Sequence, residues 1–287
     1  MKKMKLTSKA KHSKLKITPK RLMVMMPLLA LTVAAFWNTL EVTRYTVVSD
    51  KVAKPFTIAL ITDLHNTNYG KDQHRLISRI AEGEPDIILL SGDIFHHKGS
   101  RTKAHELIYE AAKIAPVYFV PGNHETRNPS DRHIIGEVEA FGGVTLWNEI
   151  GNEAAELNIN GDKIFLVGRN DFYWVYPGSR FKVEYDIPDD AFAIMMCHFP
   201  DHHYLYSEQF NLMVSGHAHG GQVRIPWLLP NGLFTPGQGL FPKYTSNAYE
   251  LSDKFTLVVS RGLSRKSHAA FRVFNRPELV FIDVVNE

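Results

Sequence analysis

Five short stretches of this 287-residue chain carry side chains that bind divalent cations. They are "TDLH" with Asp63 and His65, "SGD" with Asp93, "GNHE" with Asn123 and His124, "MCHF" with His198, and "GHAHGG" with His217 and His219. Carboxylate, amide oxygen and imidazole together suit a borderline ion such as Zn2+, Mn2+ or Fe2+, and a chain whose one cysteine is Cys197 has no thiolate cluster for a structural zinc. Asp63, His65, Asp93, Asn123, His198, His217 and His219 are too many for one tetrahedral shell. They suit two ions sharing a ligand, at the ~3.5–4 Å separation of two-metal hydrolytic sites. In an extended segment side chains two apart project the same way, so Asp63 and His65 are expected to reach one ion. A turn flanked by Gly216, Gly220 and Gly221 lets His217 and His219 reach different ions, and Gly92 and Gly122 allow equally close backbone approach. Each stretch alone also has a plain reading as a turn or a surface histidine. Their joint occurrence points to one shared site.

The elements that must position these residues are legible as apolar runs. "KPFTIALITDLH", "PDIILLSGD" and "APVYFVPGNHE" recur at intervals of about thirty residues, each reading as a buried parallel strand with polar residues at its C-terminal end. Helical patterns near 74–81, 103–114 and 131–141 separate them, which is βαβ logic. The second half is mostly strand. "AAELNINGDKIFLVGRND" reads as a hairpin turning at Asn160 and Gly161, and "AFAIMMCHF", "NLMVSGH", "FTLVVSRG", "AFRVFN" and "ELVFIDVV" follow as strands. The expected fold is α/β, a four-layer αββα sandwich over residues 56–287. It would gather the polar strand ends on one edge, where open α/β sheets hold ligands.

As a set, D-x-H, G-D, G-N-H-[DE], H and G-H-x-H resembles the calcineurin-like metallophosphoesterases, over roughly residues 56–285. "GHAHGGQVRIP", "SRGL" and "NRPELVFI" are similar to the membrane-associated or exported branch of bacterial phosphodiesterases typified by YkuE and YaeI. One departure is the N-terminus, where "PKR" stands in place of the twin arginines many members carry. The resemblance implies that Asp63, His65 and His219 hold one ion, that Asn123, His198 and His217 hold the other, and that Asp93 bridges them. A water held between two dications is largely hydroxide near neutral pH and attacks phosphorus in line, without a protein nucleophile. His124 would stabilise the transition state or protonate the leaving oxygen. Glu125 reads equally as a partner orienting a ligand or as a helix N-terminal acid, and Asn66 as a phosphate contact. His96, which follows "GDIF", can lie near the metals but is left out of the expected site. His12, His74, His97, His105, His133, His202, His203 and His268 read as solvated or core-edge groups.

Residues 1–21 hold nine Lys or Arg and no acid, and an apolar run at 22–40 follows, with Trp37 where an interfacial aromatic belongs. This predicts a basic cytoplasmic tail, a transmembrane signal anchor at 22–40, a connector at 41–55 and an extracytoplasmic domain at 56–287. "VAA" at 33–35 offers a cleaved signal peptide and a secreted form as the alternative. Without the nine tail cations, 24 basic residues face 30 acidic ones, so the body has no basic surface for long nucleic acid, while the tail suits anionic lipid. The apolar loop "WLLPNGLFTPGQGLFPKY" at 227–244 either folds over the sheet edge or lies against a membrane and admits a lipid-linked substrate. The expected function is a membrane-anchored, two-metal phosphoesterase that cleaves a phosphodiester or pyrophosphate of a small or lipid-linked molecule. The alternatives are a nucleotide phosphatase or nuclease on the same metals, and a catalytically silent anchored binding module; the intact ligand set argues against the last.

Overall fold

Runs such as "IILL" at 87–90 have no polar side chain to turn toward water, so they must lie between two apolar layers. The computed structural model describes residues 18–127, 133–146, 152–169, 184–265 and 272–287. In chain order the elements are α1 (Pro19–Ala35), β1 (Glu41–Val48), β2 (Phe56–Ile61), α2 (His74–Glu82), β3 (Ile87–Ser91), α3 (Thr102–Ala111), β4 (Val117–Val120), α4 (Ile134–Ala140), β5 (Gly143–Thr145), β6 (Asn152–Ile159), β7 (Asp162–Arg169), β8 (Phe192–Met196), β9 (Leu212–Ser215), β10 (Phe234–Thr235), β11 (Gly239–Leu240), β12 (Asn247–Ser252), β13 (Phe255–Val259) and β14 (Glu278–Val285). β10 and β11 form a small ribbon; the other strands form two six-stranded sheets, ordered β1-β14-β2-β3-β4-β5 and β12-β13-β9-β8-β7-β6. Within them β2, β3 and β4 run parallel, as do β8 and β9.

Strand alternation assigns each side chain to a layer. Ile58, Leu60, Ile87, Leu89 and Ile282 of the first sheet meet Ile164, Leu166, Ile194, Met196 and Val214 of the second in a core between the sheets. Their neighbours Ala59, Ile61, Ile88, Leu90 and Phe119 turn outward onto Leu76 and Ile80 of α2, Leu107 and Ile108 of α3, and Val138 of α4. Three of the four expected layers are therefore present as read. The fourth differs. Among the described residues, Phe165, Met195, Met213 and Leu257 are covered by Tyr206, Phe210 and the 3₁₀ turn Pro200–Leu205 rather than by an α-helix. That turn ends where Tyr206 takes φ −124°, outside the helical range.

The hairpin read at "NINGDK" is β6 and β7, with Ile159 opposite Asp162 and left-handed φ at both Asn160 and Gly161, as a two-residue turn of this kind requires. Two stretches correct the sequence reading. Residues 41–48, expected as connector, form β1, which pairs in parallel with β14 along its full length. "AFRVFN" is no strand in its described part: Val273 makes a single bridge to Val223, and φ +48° at Phe274 breaks the extended run.

The N-terminal segment also differs. The chain divides into two compact units between Ala35 and Phe36. α1 has 17 residues and stops at Ala35, five short of the expected end at Leu40, and no helix among the described residues is long and apolar enough to cross a membrane. At ~1.5 Å per residue it spans about 25 Å, against a hydrocarbon core of ~30 Å. The reason for the early stop is tertiary. Asn38 donates to the carbonyl of Arg265, and Thr39 accepts from Arg276, so these residues belong to the larger unit. Residues 1–17, including His12, and His268 lie outside the described residues.

Candidate metal centre

Five loops converge, those leaving the C-terminal ends of β2, β3, β4, β8 and β9. Asp93 Oδ2 lies 3.3 Å from His198 Nε2, 3.6 Å from His65 Nε2 and 4.0 Å from His124 Nε2. Asp63 Oδ1 lies 3.5 Å from His219 Nε2 and 3.8 Å from His65 Nε2. The side chains sort into two groups, each able to hold an ion: Asp63, His65 and His219 in one, Asp93, His198 and His217 in the other, with donor atoms within 4.8 Å of each other. His217 and His219 thus part company, as the glycine-flanked turn predicts. Asn123 stands beside the second group through its neighbour His124, whose backbone N–H donates to Asp93 Oδ1 at 2.8 Å.

The route by which Asp63 and His65 arrive differs from the one expected. β2 ends at Ile61, and Asp63 and His65 both adopt left-handed backbone, at φ +50° and +48°, so the D-x-H is a tight turn and not an extended strand end. Asn66, Asp93, His217 and His219 are left-handed too. Each costs of order 1 kcal/mol or more, and such strain persists where the surroundings over-determine it.

Those surroundings are a set of buried hydrogen bonds. His198 Nδ1–H donates to the Ser91 carbonyl at 2.9 Å, which fixes the tautomer with the Nε2 lone pair toward Asp93. The backbone N–H of His217 donates to Asp63 Oδ2 at 3.0 Å. Glu125, buried, accepts from the backbone N–H groups of Asp93 (3.0 Å), Phe95 (2.8 Å) and Gly122 (2.8 Å), tying the β3 and β4 loops together. It is therefore the orienting partner rather than a helix cap. On the far side the Arg272 guanidinium lies 3.5 Å from His219 Nδ1 and donates to the Arg261 carbonyl, and the Asn275 amide donates to the carbonyls of His219 and Gln222.

Sequence reasoning missed Arg272, Asn275 and His97. His97 Nδ1 is 2.9 Å from His124 Nδ1, so it holds that ring and is not the solvated or core-edge group the sequence suggests. The signals available are the polar residues inside "FRVFN", which reads as a strand, and the doubled histidine in "GDIFHHKG".

Burial sets the charge states. It holds His65 and His219 well below the ordinary imidazole range and lowers His217 to about 3, leaving neutral rings of the kind that bind metals. Burial alone would raise Asp93, yet the adjacent His198, with His65 and His124, holds it well below the usual carboxylate range. Asp63 is pushed up to about 6 by burial and by the charge of Asp93, and Glu125 to about 8 by the same two causes. The fit to a cation is direct: Asn123 Oδ1 and His217 Nε2 are buried with no hydrogen-bond partner, each a cost of ~1–3 kcal/mol that a bound ion would remove.

Residues 56–221 match the calcineurin-like phosphoesterase family. The chain belongs to that family. Among its relatives, phosphodiesterase YaeI of Escherichia coli (strain K12) is 27% identical over 240 residues, covering 81% of this chain and 83% of YaeI. The uncharacterized metallophosphoesterase YkuE of Bacillus subtilis (strain 168) is 26% identical over 255 residues, covering 84% of each. A dimetal phosphatase from Danio rerio is a similar solved structure, with 13% identity, a TM-score of 0.45, and coverage of 73% of this chain and 88% of that one. As a member of the calcineurin-like phosphoesterases the protein is a metal-dependent hydrolase of phosphoric esters.

Proposed function

We propose that the protein is a two-metal phosphodiesterase or pyrophosphatase acting on a lipid-linked phosphoester at a membrane surface. Asp63, His65 and His219 would hold one ion, Asn123, His198 and His217 the other, and Asp93 both. The observation that carries the two-ion reading is the position of Asp93 Oδ2, within 3.3 Å of His198 from one group and 3.6 Å of His65 from the other. Two divalent ions there would acidify a shared water and offset negative charge on the phosphoryl oxygens. The rest falls to the chain. His124, held at Nδ1 by His97, keeps Nε2 toward the carboxylates, where it delivers a proton to the leaving oxygen. Asn66 has both amide atoms buried without a hydrogen-bond partner, and its Nδ2 can orient a phosphoryl oxygen.

Two exposed apolar surfaces support the lipid and membrane parts of the reading. In the loop that follows "GHAHGG", Trp227 is 98% exposed, Leu228 72% and Phe241 69%, so these side chains face outward while the Leu233 N–H donates to the Gly221 carbonyl and holds the loop backbone to the site. α1 exposes leucine, methionine and valine around its whole circumference, and the basic tail before it suits the anionic headgroups of a membrane surface. The name of YaeI supports a diester. The test is hydrolysis of bis(p-nitrophenyl) phosphate and of a lipid phosphodiester by the purified protein. Chelation should abolish both activities, Mn2+ or Zn2+ should restore them, and Trp227→Ser with Phe234→Ser should depress only the lipid reaction. Activity that survives chelation rejects the metal reading, and an unchanged ratio between the two substrates rejects the lipid.

A further inference from the structure

The loops after β2, β3 and β4 bring together four imidazoles, of which the two-ion centre uses one as a ligand. His65, His96 and His124 each offer a ring nitrogen within 4.8 Å of the others. His97 adds its Nδ1 at 2.9 Å from Nδ1 of His124. Ring centroids are 4.4 Å apart for His96 and His97, 4.7 Å for His96 and His124, and 4.8 Å for His97 and His124. The placement is built in: Phe95 is buried and its backbone N–H is fastened to Glu125, so His96 and His97 leave a clamped residue toward the centre.

We propose that His96, His97 and His124 form a further metal site, made of nitrogen donors alone, for a transition ion such as Zn2+, Cu2+ or Ni2+. One lone pair serves one ion. His65, with Nε2 already 3.6 Å from Asp93, stays with the two-ion centre, and His96 and His97 complete the new site around His124. Imidazole favours these ions, whereas Mg2+, Ca2+ and Mn2+ prefer the oxygens of carboxylates and water. Bonds of 2.0–2.1 Å at tetrahedral angles put two ligating nitrogens about 3.3 Å apart. The 2.9 Å contact between His97 and His124 therefore has to open by a few tenths of an ångström. That opening replaces the hydrogen bond holding His124, so an ion bound there displaces the ring and slows hydrolysis. This coupling rests on the role given to His124 above; binding itself does not.

Metal-stripped full-length protein, re-equilibrated with Zn2+ and desalted, is expected to retain one equivalent more than either His96→Asn or His97→Asn. Cu2+ added as one equivalent to protein loaded with only two equivalents of Zn2+ is expected to give an electron paramagnetic resonance spectrum with nitrogen hyperfine splitting that weakens in both variants. Excess Zn2+ should inhibit the parent several-fold, while His96→Asn keeps its basal turnover and resists. Equal zinc content in the parent and both variants, or a copper spectrum unchanged in both, overturns the site. An extra equivalent in a protein that hydrolyses no phosphoester keeps the site and removes the functional reading instead.

Discussion

A metal takes an imidazole only in its neutral form, and burial supplies that form at His65, His217 and His219 before any ion arrives. Asp63 is different. Pushed up to about 6, it must lose a proton for its ion to bind, so protons and metal compete for it. Metal content should be full above about pH 7 and fall as pH drops through about 6; dialysis at stepped pH with elemental analysis measures this, and full retention at about pH 4.5 would reject it. In the metal-free protein the sign follows from a folded value above the unfolded 3.8. Asp63 then contributes stability that is complete below about pH 4 and is lost as pH rises through about 6. His124 makes a different demand, since it serves the reaction rather than the ions. His124→Ala should lower kcat about 10²–10⁴-fold while the two ions of the carboxylate centre remain and only the equivalent assigned to His96 and His97 is lost; loss of either of those two ions would make His124 a ligand of that centre instead.

At the scale of the elements, the site depends on turns that only particular residues tolerate. Gly92 sits at φ +83°, where a Cβ would run into the His198 imidazole and come 2.9 Å from the Cα of Gly122. Gly216 faces Asp63 just as closely. Across these turns Glu125 is the common brace, accepting three backbone N–H groups from two loops. Glu125→Ala leaves those donors buried without an acceptor, at ~1–3 kcal/mol each. The expected result is a loss of several kcal/mol in denaturant unfolding and about 10–100-fold weaker metal binding. A variant as stable as the parent would show that the loops hold themselves.

For the whole molecule, the division between Ala35 and Phe36 leaves every residue of the metal centre in the larger unit and the proposed membrane-binding helix in the smaller. A chain beginning at Phe36 keeps the bonds from Asn38 to Arg265 and from Arg276 to Thr39, and the full pairing of β1 with β14. It should hydrolyse bis(p-nitrophenyl) phosphate with kcat/KM within about twofold of the parent, because binding energy for a small diester comes from the centre alone, and it should fail to sediment with membranes. Sedimentation at the parental level would place the attachment in the 227–244 loop. Residue type and local periodicity determined by themselves the buried strands, the hairpin at Asn160 and Gly161, and the five stretches whose polar ends meet, because apolar alternation and turn chemistry act over a few residues. Only the tertiary structure decided that Asp63 and His65 turn left-handed, that residues 41–48 form an edge strand, that His97 holds His124, and that Arg272 and Asn275 back His219. Those outcomes depend on contacts such as His198 with Ser91, 107 positions apart, and Asn275 with His219, 56 apart. No local pattern encodes which nitrogen will face which oxygen once two sheets have packed.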